Sequence, residues 1–169
     1  MHADSTNQGV QIMYEKPFAL NEYPMLRWKW RAVTFPDGTN EREKKGNDSV
    51  LGIYVVFSYW PVRAIKYVWS DTIPAGSSFD SPHASGAKIV VVASGRESSD
   101  AWVTEERNVL EDYRHFFGET EKNPVSKGIA ILTDADNTHS HAVGDYAEIE
   151  AFHTREERVA STRSITVRK

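Results

Sequence analysis

The stretch Leu26-Arg27-Trp28-Lys29-Trp30-Arg31-Ala32 alternates apolar and cationic side chains without a break. Successive residues of an extended chain point to opposite faces, so Leu26, Trp28, Trp30 and Ala32 share one face and the three cations the other. A helix would scatter those cations around its circumference. The segment is therefore a strand that packs one face on a core and turns the other to water.

The same signals recur along the chain. Pro36-Asp37-Gly38 marks a turn, and residues 39–48 form a charged loop. Val50 to Phe57 is apolar on both faces, which suits a central strand covered on each side. Gly9 to Glu15, Ala64 to Trp69, Lys88 to Ala93, Lys127 to Thr133 and Tyr146 to Phe152 read as further strands, and Trp102 to Val109 as an edge strand. Thr72 to Gly86, rich in Ser, Gly and Pro, reads as a long surface loop. Helical spacing is convincing once, at Val109, Leu110, Tyr113, Phe116 and Phe117, with Gly118 placed to cap it. Seven or eight strands with one short helix at about residues 109–117 predict an all-β fold. The expected architecture is a jelly-roll-like β-sandwich of two antiparallel sheets.

Residues 1–169 are expected to form one sandwich domain. Within it, residues 154–169 read as a polar tail whose Ile165-Thr166-Val167 adds an edge strand or frays. Met1 to Val10 reads as a polar lead-in without an opening strand. Sandwiches pair their first strand near their last, so the expectation is a domain that begins upstream.

Composition narrows the chemistry. Hydrophobic residues make up 40% and aromatics 11%, enough for a packed core. Net charge is -4 with no basic stripe, so nucleic acid is not an expected partner. The absence of cysteine excludes disulfides, thiolate metal sites and a cysteine nucleophile. No apolar run reaches the roughly 20 residues of a membrane-spanning helix, and Met1 to Val10 lacks the features of a signal peptide.

Several motifs together resemble the DUF3047 family of bacterial proteins of unknown function. They are Leu26 to Arg31, Asn47-Asp48 ahead of Gly52 to Phe57, Lys66 to Ser70, Trp102 to Glu105, and Arg107-Asn108. Asp112-Tyr113, Phe117-Gly118 and Asp134-Ala-Asp-Asn-Thr138 complete the set, which spans the chain from about Asn7 onward. The resemblance implies a β-sandwich of the carbohydrate-binding or lectin-like sort, periplasmic or secreted, with no established activity. It also implies a leader and an extra N-terminal stretch that this chain does not carry.

Four groups of residues are candidates for function. Asp134, Asp136 and Asn137 follow a strand end, where side-chain oxygens suit calcium, a hard cation; Asp48 and Asp145 are candidates to complete the site. The alternative is a turn in which these side chains bond backbone amides. Trp102, Glu105, Arg107 and Asn108 form a dense polar cluster. Glu105 and Arg107 share a face and can line a cleft with Asp112, or all three can brace a strand-to-helix junction that Asn108 caps. Tyr59 and Trp60 lie in a turn and offer an aromatic platform for a sugar ring, whereas Trp28 and Trp30 belong to the core. His139 and His141 share a face in an extended segment, without a third metal ligand at a familiar distance.

Three functions remain open: a non-catalytic module for a saccharide or cell-envelope glycan, a polysaccharide hydrolase or lyase using Glu105, Arg107 and Asp112, and a structural envelope protein. The first is the expectation.

Overall fold

The computed structural model describes residues 1–153. In chain order the first strands are β1 (His2–Thr6), β2 (Gly9–Tyr14), β3 (Phe18–Ala19) and β4 (Met25–Thr34). Next come β5 (Leu51–Tyr59), β6 (Val62–Ser70), β7 (Ser78–Asp80), β8 (Ala87–Ser94) and β9 (Val103–Asn108). The helix α1 (Val109–Phe117) follows, then β10 (Val125–Ser126), β11 (Gly128–Asp134) and β12 (His141–Phe152). A four-stranded sheet, β1-β12-β4-β9, packs on a six-stranded sheet, β2-β11-β5-β6-β8-β7, with β3 and β10 paired beside them. The arrangement is sandwich-like, and neither sheet closes into a barrel.

The alternating segment is the hinge of this packing. In β4, Leu26, Trp28, Trp30 and Ala32 are fully buried. Trp28 meets Tyr67 of β6 with ring centroids 5.5 Å apart, and Trp30 meets Trp69 at 6.0 Å. Such large aromatics dominate core energetics, and truncating either tryptophan to alanine costs about 3–5 kcal/mol. The cations of the opposite face reach sideways to β12: Arg27 to Glu150, Lys29 to Glu148 and Arg31 to Asp145. Opposite charges on neighbouring strands support the pairing.

The structure bears out the helix, the edge position of β9 and the central position of β5. Asn108 caps α1 by accepting from the Glu111 amide at 3.2 Å, and Gly118 closes it with φ 74° and a 2.9 Å bond to the Arg114 carbonyl. Four expectations are corrected. An opening strand does exist: β1 pairs with β12, the last described strand. It escaped notice because its buried positions hold only Ala3 and Ser5, too small to give an apolar signal. The loop from Thr72 to Gly86 contains the three-residue strand β7. Strand β12 starts at His141, five residues early, because Ala142, Gly144 and polar residues give no alternating pattern. The larger sheet is mixed rather than antiparallel, since β6 and β8 run parallel. A parallel pair needs a crossover, and the 16 residues from Asp71 to Gly86 supply it. Within that crossover Ile73 and Phe79 cover Val68, Ile89 and Val91 on the outer face of the sheet, a second small core. The expected tail strand at Ile165 to Val167 lies outside the described residues.

Candidate functional site

The aromatic candidates fall at opposite ends of the molecule. Trp60 is 90% and Tyr59 56% exposed at the turn between β5 and β6. The Tyr59 hydroxyl donates to Glu15 at 3.1 Å, which fixes the ring on the surface. Trp102 is 48% exposed just before β9, beside Trp30 and Val103, with the Arg31 guanidinium 5.4 Å from its ring. It is therefore not part of the Tyr59–Trp60 surface.

Between those ends, β9 carries Glu105 and Arg107 on its inward face, paired across the ladder with Trp28 and Leu26. Because β9 is an edge strand, this inward face opens into a cleft of about 320 Å³ that Ser78, Asp112 and His115 also line. Arg107 grips Asp112 through two bonds, Nε at 3.1 Å and Nη2 at 2.6 Å, and the buried Tyr67 hydroxyl donates to the same carboxylate at 2.7 Å. Burial and the adjacent Asp112 charge push the Tyr67 hydroxyl well above its ordinary value, so it stays a donor. Among the described residues Glu105 has no such partner. Burial raises its carboxyl to about 6, and the Arg107 charge offsets only part of that. Glu105, Arg107 and Asp112 thus come together, whereas Trp102 lies against Arg31 outside the cleft and Asn108 serves as the helix cap.

The strand-end candidates also meet, with one exception. Asp48, Asp134 and Asp136 each place an oxygen within 4.8 Å of the others. Asp48 is buried and accepts from the Asn137 and Thr138 amides, the Asn137 side chain and the Thr138 hydroxyl at 2.6–3.2 Å. It braces the turn from outside, whereas the structural alternative has the turn's own side chains bonding their amides, and Asn137 acts there as a donor. Asp134 differs: its Oδ1 is buried without a hydrogen-bond partner among the described residues, and burial raises its carboxyl to about 6. Asp145 is not part of this group. Arg31 holds it at 2.7 and 2.9 Å and His2 at 2.8 Å, because β12 carries it to the flank beside β4 and β1. His141 pairs with Asp4 at 2.8 Å, and with His139 it lines a polar cleft near Arg96.

One constellation is absent from the sequence-based candidates. Lys66, on the outer face of β6, is 2% exposed, and its ammonium donates to the Ser49 hydroxyl at 3.5 Å and lies 5.4 Å from the Tyr54 ring centroid. Its stem passes over Gly52, where a Cβ would stand 3.0 Å from Lys66 Cε. Glu41, fully buried, accepts from Ser70 at 2.8 Å with one oxygen and leaves the other unpartnered. Its carboxyl is raised by burial, while Lys66 pulls it and Asp134 back down. The available signal was a lone lysine inside the apolar run Ala64 to Trp69. Glu41, one of several charges in a loop, gave none.

Among the described residues, no helix is long and apolar enough to cross a membrane. No curated protein matches the chain. Residues 1–150 match the family described as "Protein of unknown function (DUF3047)". That match covers the β4 alternation, the β9–α1 cleft and the Asp134–Thr138 turn alike, and the chain belongs to the DUF3047 family.

Proposed function

We propose that this protein is a non-catalytic binding module for a saccharide or cell-envelope glycan, working in the periplasm or outside the cell. The observation that carries this reading is the adjacent exposed pair at the β5–β6 turn, Trp60 at 90% and Tyr59 at 56%. Burying a tryptophan face on the C–H surface of a sugar removes apolar area from water, and the tyrosine adds a polar handle. The Tyr59 ring is already held by Glu15, which reduces the ordering cost of its contact with a ligand.

The catalytic alternative needs two working carboxyls across a cleft. Arg107 and Tyr67 hold Asp112, which leaves Glu105 alone and weakens that alternative. The test is a melting-temperature panel of neutral and acidic oligosaccharides. A ligand of the folded state raises the midpoint by mass action. One glycan class should raise it, and Trp60→Ala should abolish the rise while leaving the unliganded midpoint unchanged. A flat panel would sink this reading in favour of a structural envelope role.

A second reading, calcium at Asp48, Asp134 and Asp136, is favoured by the unpartnered buried oxygen of Asp134. All the side-chain donors are hard oxygens, which suits that ion. Added calcium should then raise the midpoint, EDTA should reverse the rise, and Asp134→Asn should remove it. The same midpoint in calcium and in EDTA would leave the turn as a hydrogen-bonded brace.

A further inference from the structure

We propose that the cleft between β9 and β8 binds a small free aliphatic amine, whose ammonium pairs with the Glu105 carboxylate. The cleft shares no lining residue with the Tyr59–Trp60 turn, and the proposal does not rest on the saccharide reading.

Both sheets end at this rim. Strand β9 is an edge of the four-stranded sheet, and β7, beside β8, is an edge of the six-stranded one. The cleft between them holds about 320 Å³, at the small end of ligand cavities, which run from about 300 to 1,000 Å³. Val90 and Val92 of β8 and Phe116 of α1 give it an apolar wall. Glu105 enters from the opposite side, half-buried, on the face of β9 that turns inward.

The charges around the cleft are matched except for one. Arg107 engages Asp112 through Nε and Nη2, and Tyr67 donates to the same carboxylate. Glu106 turns its side chain to the other face of β9, opposite Arg27. Among the described residues Glu105 has neither a hydrogen bond nor an ion pair, and the Arg107 charge offsets only part of its burial. Burying a charge without a partner is costly, and ionisable groups kept in that state inside clefts concentrate at functional sites.

The chemistry of the partner follows from what surrounds Glu105. An anion would meet its carboxylate directly and find Arg107 already held by two bonds. A hydroxyl donates one hydrogen bond and leaves the charge uncompensated. An ammonium supplies three donors with the opposite charge, and its aliphatic stem then covers Val90, Val92 and Phe116.

The probe is n-butylamine, titrated into the 169-residue chain at pH 7.5 and followed by the NMR shifts of backbone amides. Saturable shifts are expected at Ser78, Glu105 and Arg107, and none at Tyr59 or Trp60. Butanol and butyrate, which share the stem, should bind at least about tenfold more weakly. Glu105→Gln keeps the shape of the side chain without its charge and should abolish the shifts while the chain still melts cooperatively. Because burial sets the Glu105 carboxyl at about 6, affinity should fall about tenfold between pH 7.5 and pH 5, where the amine stays cationic. The other titratable groups at the cleft are Arg107 on β9 and Asp112 and His115 on α1, while β7, β8 and β4 face it with Ser78, the valines and Trp28. His115→Ala should keep the pH dependence, which separates Glu105 from the histidine. The cleft is too small for a backbone on either side of the amine, so Nα-acetyl-lysine N-methylamide should be excluded. No saturable shift, butanol binding as well as butylamine, or binding that survives Glu105→Gln overturns the proposal. A pH dependence lost with His115 overturns it too, and binding of the lysine derivative equal to that of butylamine replaces the free amine with a protein-borne lysine.

Discussion

Lys66 shows how much one side chain can hold in place. Its buried ammonium acts electrostatically on two carboxyls, Glu41 and Asp134, lowering both, and each of them keeps an unpartnered oxygen. Removing one partner from a buried charge group is costly because the others lose their compensation, by about 3–5 kcal/mol. Lys66→Met should therefore lose stability of that order at pH 7.5. At pH 5 the loss should be smaller, because Glu41 and Asp134, already raised by burial, take up protons once the cation is gone. Urea denaturation at the two pH values measures the difference, and an equal loss at both would refute the coupling. None of this was legible beforehand beyond the oddity of a lysine in an apolar strand. The partnership exists only because the loop around residues 39–48 folds over the outer face of β6, and no local pattern encodes that closure. Glu105 and Arg107 were legible, because a two-residue spacing on a strand puts side chains on one face whatever the tertiary fold. That Arg107 would bind Asp112 rather than a ligand depended on where α1 docks, which spacing does not state.

At the scale of elements, legibility followed side-chain size. Strand β4 announced itself through two tryptophans, and α1 through its apolar spacing and Gly118. Strand β1, built on Ala3 and Ser5, did not. The direction of β8 was also hidden, since alternation with period two is the same for parallel and antiparallel neighbours. The structure does mark that junction at Gly86. A Cβ there would lie 1.7 Å from the Val62 carbonyl oxygen, at the start of the parallel ladder where Ala64 donates to Gly86. Backbone cannot yield as a flexible side chain does. Gly86→Ala should cost about 2 kcal/mol or more by forcing β8 away from β6. Circular dichroism melting would detect it, and an unchanged midpoint would show that the junction is looser than described.

The molecule as a whole should prefer mildly acidic conditions. Burial raises Glu105 and Asp134 to about 6 and raises Glu41 as well. A carboxyl with a raised folded value binds protons more tightly folded than unfolded. Its contribution is full below its unfolded value, 4.5 for Glu105 and 3.8 for Asp134, and is lost as pH rises through about 6. Asp145 works the other way, since its bonds to His2 and Arg31 outweigh burial and lower it. Its contribution falls away only on acidification below 3.8. The melting temperature should therefore rise between pH 7.5 and about 5. Glu105→Gln should gain about 1 kcal/mol at pH 7.5, after allowance for solvent screening, and flatten the profile. A midpoint that falls over the same interval would contradict this balance.

The placement of β8 has a consequence for the order in which the molecule assembles. It follows both β6 and β7 in the chain, yet it sits between them in the sheet. Among the described residues strand β7 has no other neighbour, so its place in the sheet depends on β8. Short loops close sooner than long ones, and the turn joining β7 to β8 is much shorter than the crossover that brings β8 to β6. Loop entropy therefore favours pairing of β7 with β8 ahead of their docking on β6, with one rim of the sandwich tied to the rest through the β6–β8 ladder.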